Sequence, residues 1–136
     1  MKMNKIKRSN PTTMPKPVGN YSHVTKIPKN SEFFVFSGQI GTDSTGNIPS
    51  AFNEQVTNTF TNIKHALQSE ALDSANIIKV NIWAVQDIDW DFFYQTWDDF
   101  FQNENYPSMT IGYLSALGLP EIKIEIEIWA ARPEEI

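Results

Sequence analysis

Two carboxylates stand two residues apart in the run Glu121-Ile122-Lys123-Ile124-Glu125-Ile126-Glu127-Ile128-Trp129-Ala130. Isoleucine holds every even position from 122 to 128, so the segment reads as a half-buried β-strand. Its polar face then carries Glu125, Glu127 and Trp129 together. A carboxylate on a partly covered face is desolvated, which raises its pKa and suits it to general acid or base work. The bland alternative is that both are solvated or paired with lysines; Glu125 is the candidate catalytic group. His23 lies beside Tyr21 on a predicted first strand, where it can reach a cleft or serve structure alone. His65 falls opposite the apolar stripe of a predicted helix and reads as a solvated surface residue. The chain has no cysteine, which removes disulfides, thiolate metal sites and thiol nucleophiles together. Three or four convergent metal ligands do not assemble, so no metal is expected. There is no glycine-rich phosphate loop, HExxH pair or Gly-x-Ser-x-Gly elbow. The aromatic residues over 90–101 are too many for one helix face, which leaves Tyr94 or Phe92 to line a cleft or an interface.

The elements that must position these residues follow from periodicity. Strands are predicted over 23–27, 32–40, 77–85, 109–114 and 122–130. A helix is predicted over 54–71, capped by Asn53, with Val56, Phe60, Ile63, Leu67 and Ala71 as its apolar stripe. A second is predicted over 90–101, capped by Asp89. Residues 41–49 are turn chemistry, with room for a further short strand near 46–50. The order β-β-α-β-α-β-β predicts an α+β sandwich with both helices on one face of the sheet. Nothing in the chain covers the other face, where Asn81, Trp83, Glu125 and Trp129 would lie, so an oligomer that buries it is expected.

At 136 residues the chain is one domain, with 40% hydrophobic residues. No apolar run reaches the roughly 18 residues of a membrane helix, and the lysine-rich start has no apolar segment after it. A cytoplasmic setting is expected. Lys2, Lys5, Lys7, Arg8 and Lys16 are five of the eleven basic residues, and no acid lies in residues 1–16. The rest carries 11 − 5 = 6 basic against 16 acidic residues, or 6 − 16 = −10. A body that acidic repels nucleic acid phosphates. Residues 1–17 read as a flexible basic arm that is solvated or touches an anionic partner, and residues 18–136 as the single domain.

Five segments in register resemble one family. Val18-Gly19-Asn20-Tyr21-Ser22 is similar to its Gly-Pro-Tyr-Ser signature, and Val35-Phe36-Ser37-Gly38-Gln39-Ile40 to its Ser-Gly-Gln-Ile strand. Ile78–Trp83 resembles its central strand. Pro107-Ser108-Met109 stands where it has Pro-Ala-Arg, and Ile124-Glu125-Ile126-Glu127 resembles its closing Ile-Glu-Ile-Glu. The chain is thereby identified as a member of the Rid/YjgF reactive-intermediate deaminase family, over about 18–131. The resemblance implies a chorismate-mutase-like fold, with one mixed β-sheet and two helices on one face. It also implies a homotrimer with ligand clefts between subunits. Active members hydrolyse 2-amino acid imines and enamines without a cofactor, so none is expected.

Carried over by position, Glu125 matches the water-positioning glutamate, and Tyr21, Ser37 and Gly38 match pocket residues. Tyr94 stands in place of a pocket asparagine. The family's carboxylate-binding arginine falls on Met109, or on Thr110 with a shifted insertion, and neither is a cation. A guanidinium offers a bidentate fork to a carboxylate. Without it, the resemblance implies a small-metabolite-binding protein whose 2-imino acid deaminase activity is weak or lost. The alternative is an active imine or enamine hydrolase using Glu125, a water and another anchor. A cation within reach of Glu125, such as Arg132 or Lys79, would favour the enzyme, and a closed apolar cleft would favour binding.

Overall fold

The structure is a computed structural model, and it describes residues 4–135. Its elements are β1 (Lys7–Ser9), β2 (Val24–Lys26), β3 (Glu32–Val35), α1 (Phe52–Ser69), a 3-10 turn (Ser74–Asn76), β4 (Ile77–Ala84), α2 (Trp90–Phe101), β5 (Ser108–Tyr113) and β6 (Ile124–Arg132). The main sheet runs β3-β6-β4-β5, antiparallel except for the β4–β5 pair, which α2 connects as a crossover. This is the expected α+β sandwich, a mixed sheet with two helices.

The alternation of β6 builds the core. Ile124, Ile126, Ile128 and Ala130 are buried on one face, beside Val80, Ile82 and Ala84 of β4. The α1 stripe of Val56, Phe60, Ile63 and Leu67 and the α2 stripe of Phe93, Trp97 and Phe101 cover them. Each such side chain contributes about 1.5–3 kcal/mol on burial. Asp89 caps α2 as expected, accepting from the Phe92 amide at 3.2 Å. Asn53 does not cap α1. Ala51 holds that position, and the Asn53 amide donates instead to Asp89 Oδ2 at 3.2 Å. Residues 46–50 form no strand, because Asp43 gathers the Thr45 and Asn47 amides into a turn.

Residues 4–17 of the expected flexible arm carry a strand, and residues 1–3 lie outside the described residues. Lys7–Ser9 pairs antiparallel with Val24–Lys26 as a separate two-stranded ribbon. Arg8 fastens it, with Nη2 donating to the carbonyls of Ala75 and Ile77 at 2.8 Å each. Charged donors make these the stronger kind of hydrogen bond. His23 Nε2 lies 2.8 Å from the Pro15 carbonyl, so this histidine secures the following loop.

Two polar residues are entirely buried, Gln55 and Thr59, and Thr59 Oγ1 donates to the Gln55 carbonyl at 2.7 Å. Gln55 donates to the carbonyls of Pro49 and Glu121 at 2.8 and 2.9 Å and accepts from the Lys123 amide at 3.0 Å. It ties the start of α1 to the chain entering β6. Gln55→Leu keeps the volume but orphans all three backbone groups. The expected loss is about 3 kcal/mol in urea unfolding, since the three part-buried groups each sit at the low end of the roughly 1–3 kcal/mol cost of an unsatisfied group. A loss below about 1 kcal/mol would show that water replaces the amide.

Candidate functional site

Alternation along β5 divides the candidate residues between the two faces of the sheet. Met109 pairs in register with buried Val80, so it points to the helix side; Thr110 pairs with Asn81 on the open side. On the helix side, Met109, Ile111, Tyr21, Trp90, Tyr94 and Val18 line a cleft of about 480 Å³. That volume lies within the usual range for small-ligand sites. Val18, 98% exposed, stands at its rim.

Packing fixes this wall. Trp97 Nε1 donates to the Asn20 carbonyl at 2.8 Å, and Asn20 donates to Asp98 Oδ1 at 2.8 Å, so the 18–22 loop is held against α2. A Cβ at Gly19 would stand 2.1 Å from the Tyr94 hydroxyl, so only glycine lets the phenol close against this loop. Trp90 and Tyr94, one helical turn apart, place their rings 5.3 Å from each other. Burial pushes the Tyr94 phenol up from its ordinary pKa, helped by the neighbouring Tyr21 and Asp98, while a hydrogen bond with the Asn20 backbone opposes this. Tyr94 is therefore a neutral hydroxyl at physiological pH.

Tyr106 sits behind this loop and donates to Asp98 Oδ1 at 2.8 Å. Desolvation and that hydrogen bond raise its pKa to about 12. The folded value exceeds the unfolded one of about 10. Its contribution to stability is thus complete below pH about 10 and is lost as pH rises toward 12. In a phenolate absorbance titration, the most alkaline step is expected to disappear in Tyr106→Phe. A titration unchanged by that variant would contradict the assignment.

The second group lies on the open face. Trp83 pairs with Glu125 and Asn81 with Glu127. Asn81 Nδ2 donates to Glu127 Oε1 at 2.8 Å, and Lys79 Nζ donates to Thr110 Oγ1 at 2.7 Å. Glu127 is thus paired, while among the described residues no protein group donates to the half-buried Glu125 carboxylate. The predicted 32–40 strand is interrupted beside it. Val35 pairs with Trp129 and Gln39 with Ile126, which leaves one extra residue at Ser37–Gly38, a bulge. A Cβ at Gly38 would lie 2.0 Å from Glu125 Oε2, so the missing side chain makes room for the carboxylate. Gly38 therefore lies against Glu125, with Ser37 beside it in the bulge. Across the face, Trp83 lies over Gly112, where a Cβ would meet its ring at 2.6 Å.

Within one chain, then, Tyr21, Tyr94 and Met109 come together, Glu125, Ser37 and Gly38 come together, and the sheet separates the two groups. Phe92 packs on the core and does not line the cleft. Trp90, Val18 and Ile111 were not singled out from sequence; the i, i+4 spacing of Trp90 and Tyr94 was the signal available for the first.

The sequence profile described as Endoribonuclease L-PSP matches residues 11–132. The chain belongs to this family. Solved structures of the Rid/YjgF family share its fold. A protein of unknown function of the conserved Rid family, YyfB from Yersinia pestis, is 23% identical with a TM-score of 0.81, covering 94% of this chain and 98% of its own. TdcF from E. coli, solved with bound serine, is 25% identical with a TM-score of 0.67, covering 93% and 99%. The E. coli YjgF gene product is 24% identical with a TM-score of 0.66, covering 93% and 98%. No curated protein sequence matches the chain. Among the described residues of this L-PSP/Rid chain, no cluster of three metal-ligating side chains occurs, and no helix is long and apolar enough to cross a membrane.

Proposed function

We propose that this Rid-family chain binds a small, neutral or cationic, partly aromatic metabolite in clefts between the subunits of a cytoplasmic homotrimer. Hydrolysis of 2-imino acids is weak or lost. The observation that carries this reading is the cleft lining itself: two tyrosines, a tryptophan, Met109, Val18 and Ile111, with no cation. Both arginines of the chain are committed elsewhere. Arg8 holds the carbonyls of Ala75 and Ile77. Arg132 pairs with Glu32 at 2.8 Å, donates to the Glu70 carbonyl and lies over the Phe34 ring at 4.9 Å. Lys79 lies four residues along β4 from Trp83, the partner of Glu125, which at about 3.3 Å per residue places it far from the carboxylate within one chain. A carboxylate ligand thus lacks its anchor, whereas aromatic faces suit an apolar or cationic group.

The subunit arrangement rests on the open face. Phe33 and Val35 are 60% and 66% exposed there, with Trp129 at 46%. An apolar patch of this kind marks an interface. Closure by neighbouring subunits would also bring a Glu125 group next to a Met109 group. The alternative reading, an imine or enamine hydrolase with another substrate anchor, draws on the same carboxylate: Glu125 has free lone pairs to position a water.

Paired isosteric probes test the binding reading. In saturation-transfer NMR, benzamide is expected to bind and benzoate to bind much more weakly, with both signals reduced in Tyr94→Ala. Preferential binding of benzoate would contradict it.

A further inference from the structure

The β1–β2 ribbon borders a second hollow that shares no lining residue with the cleft. Arg8 and Thr25 point inward, to the Ala75 and Ile77 carbonyls and to Ser108. The alternating partners therefore point outward, and the register sets Lys7 directly opposite Lys26. Side chains so paired stand about 4.5–5.5 Å apart at Cβ, and like charges there repel. Lys5 and Lys29 extend the same surface, and with Lys7 and Lys26 they line a hollow of about 300 Å³. Glu134 is the one carboxylate in its lining, and it already accepts from Asn30 Nδ2 at 3.4 Å. None of these lysines forms a salt bridge among the described residues, where the one ion pair is Arg132–Glu32.

Four lysines against one carboxylate leave an excess of +3 in this hollow, on a chain of net charge −5. Residues 80–122 contain no lysine or arginine at all, while four of the eleven basic residues line this one hollow. Flexible lysines would simply spread apart in solvent. Here the two strands hold them in register, and the Arg8 hydrogen bonds stop the ribbon from swinging away. Such a preformed concentration of positive charge lowers the ordering cost of binding an anion. Two ammonium groups side by side match two linked anionic groups better than one. We propose that the Lys7–Lys26 pair, with Lys5 and Lys29, is a binding site for a compact oligophosphate, a pyrophosphate group free or carried on a metabolite.

Isothermal titration of the full chain with inorganic pyrophosphate at low salt tests this. Saturable binding is expected, weaker for orthophosphate and weakened by added salt. Lys7→Gln/Lys26→Gln is expected to lower the affinity at least about tenfold, as the loss of charge-assisted hydrogen bonds predicts. Lys64→Gln, a control on α1, is expected to bind like the wild type, and circular dichroism checks that each variant is folded. Absence of saturable binding would overturn the proposal, as would equal loss in the Lys64 control. Binding of a single-stranded oligonucleotide without any response to pyrophosphate would also overturn it, because the surface would then be an extended phosphate track.

Discussion

Met109→Arg is expected to raise the hydrolysis of 2-aminoacrylate by about 10- to 100-fold in kcat/KM. Met109 lines the cleft with Tyr21 and Tyr94, and on the proposed reading it takes the place of the family's arginine. A guanidinium there would form a bidentate pair with the substrate carboxylate. Each charge-assisted hydrogen bond is worth roughly 1.5–3 kcal/mol, and two give about 3–6 kcal/mol before the cost of desolvating the cation. Discounting half of that leaves about 1.5–3 kcal/mol, a factor of roughly 10–100. On the proposed reading Glu125 would position the attacking water, so the gain should vanish in Met109→Arg/Glu125→Ala. It should also shrink in Met109→Arg/Gly38→Ala. The added Cβ would stand 2.0 Å from Glu125 Oε2 and displace the flexible end of that side chain at small cost to stability. Pyruvate release measured with the three variants checks the set. An arginine that binds substrate without raising turnover would show that the carboxylate anchor is not what the cleft lacks.

On the proposed assembly the wild type is expected to sediment as a trimer of about 46 kDa, three times 15.5 kDa, and Val35→Asp/Trp129→Asp as a 15.5 kDa monomer in sedimentation velocity. The two residues face each other in register between β3 and β6, on the sheet face that the helices leave open. Both are substantially exposed in the single chain. Burying two carboxylates in an apolar interface without partners costs several kcal/mol per ion, which exceeds what most interfaces of this type hold in reserve. The core lies on the other face, so the monomer should keep its helical content. A double variant that sediments as the wild type would place the interface elsewhere.

The sheet and its helices were legible because their periods were clean. Ile122 to Ile128 alternates without a break, and Val56, Phe60, Ile63 and Leu67 keep helical spacing, so strand, helix and core face followed directly. The ribbon strand β1 was not legible. Lys7-Arg8-Ser9 has no apolar alternation, and what holds it is a side-chain contact to carbonyls nearly seventy positions away. Asn53 looked like a cap, yet its amide is drawn to Asp89, which itself caps α2. Gln55 interrupts the polar face of α1 with a fully buried amide, and only its three backbone partners explain it. In the candidate site, the residue types were legible but their side of the sheet was not. Whether Met109 or Thr110 faces the cleft depends on the register of β5 against β4, a pairing of residues 29 positions apart in sequence. The bulge at Ser37–Gly38 was hidden for the same reason, because the 32–40 segment reads as one unbroken strand until its pairing with β6 is known.

The most direct measurement is the wild-type rate of 2-aminoacrylate hydrolysis, read as pyruvate release above the spontaneous background. The cleft without a cation predicts a rate within a few-fold of background, unchanged by Glu125→Ala. A wild-type rate far above background that Glu125→Ala abolishes would contradict the central claim, and would mean that this cleft anchors a carboxylate without an arginine.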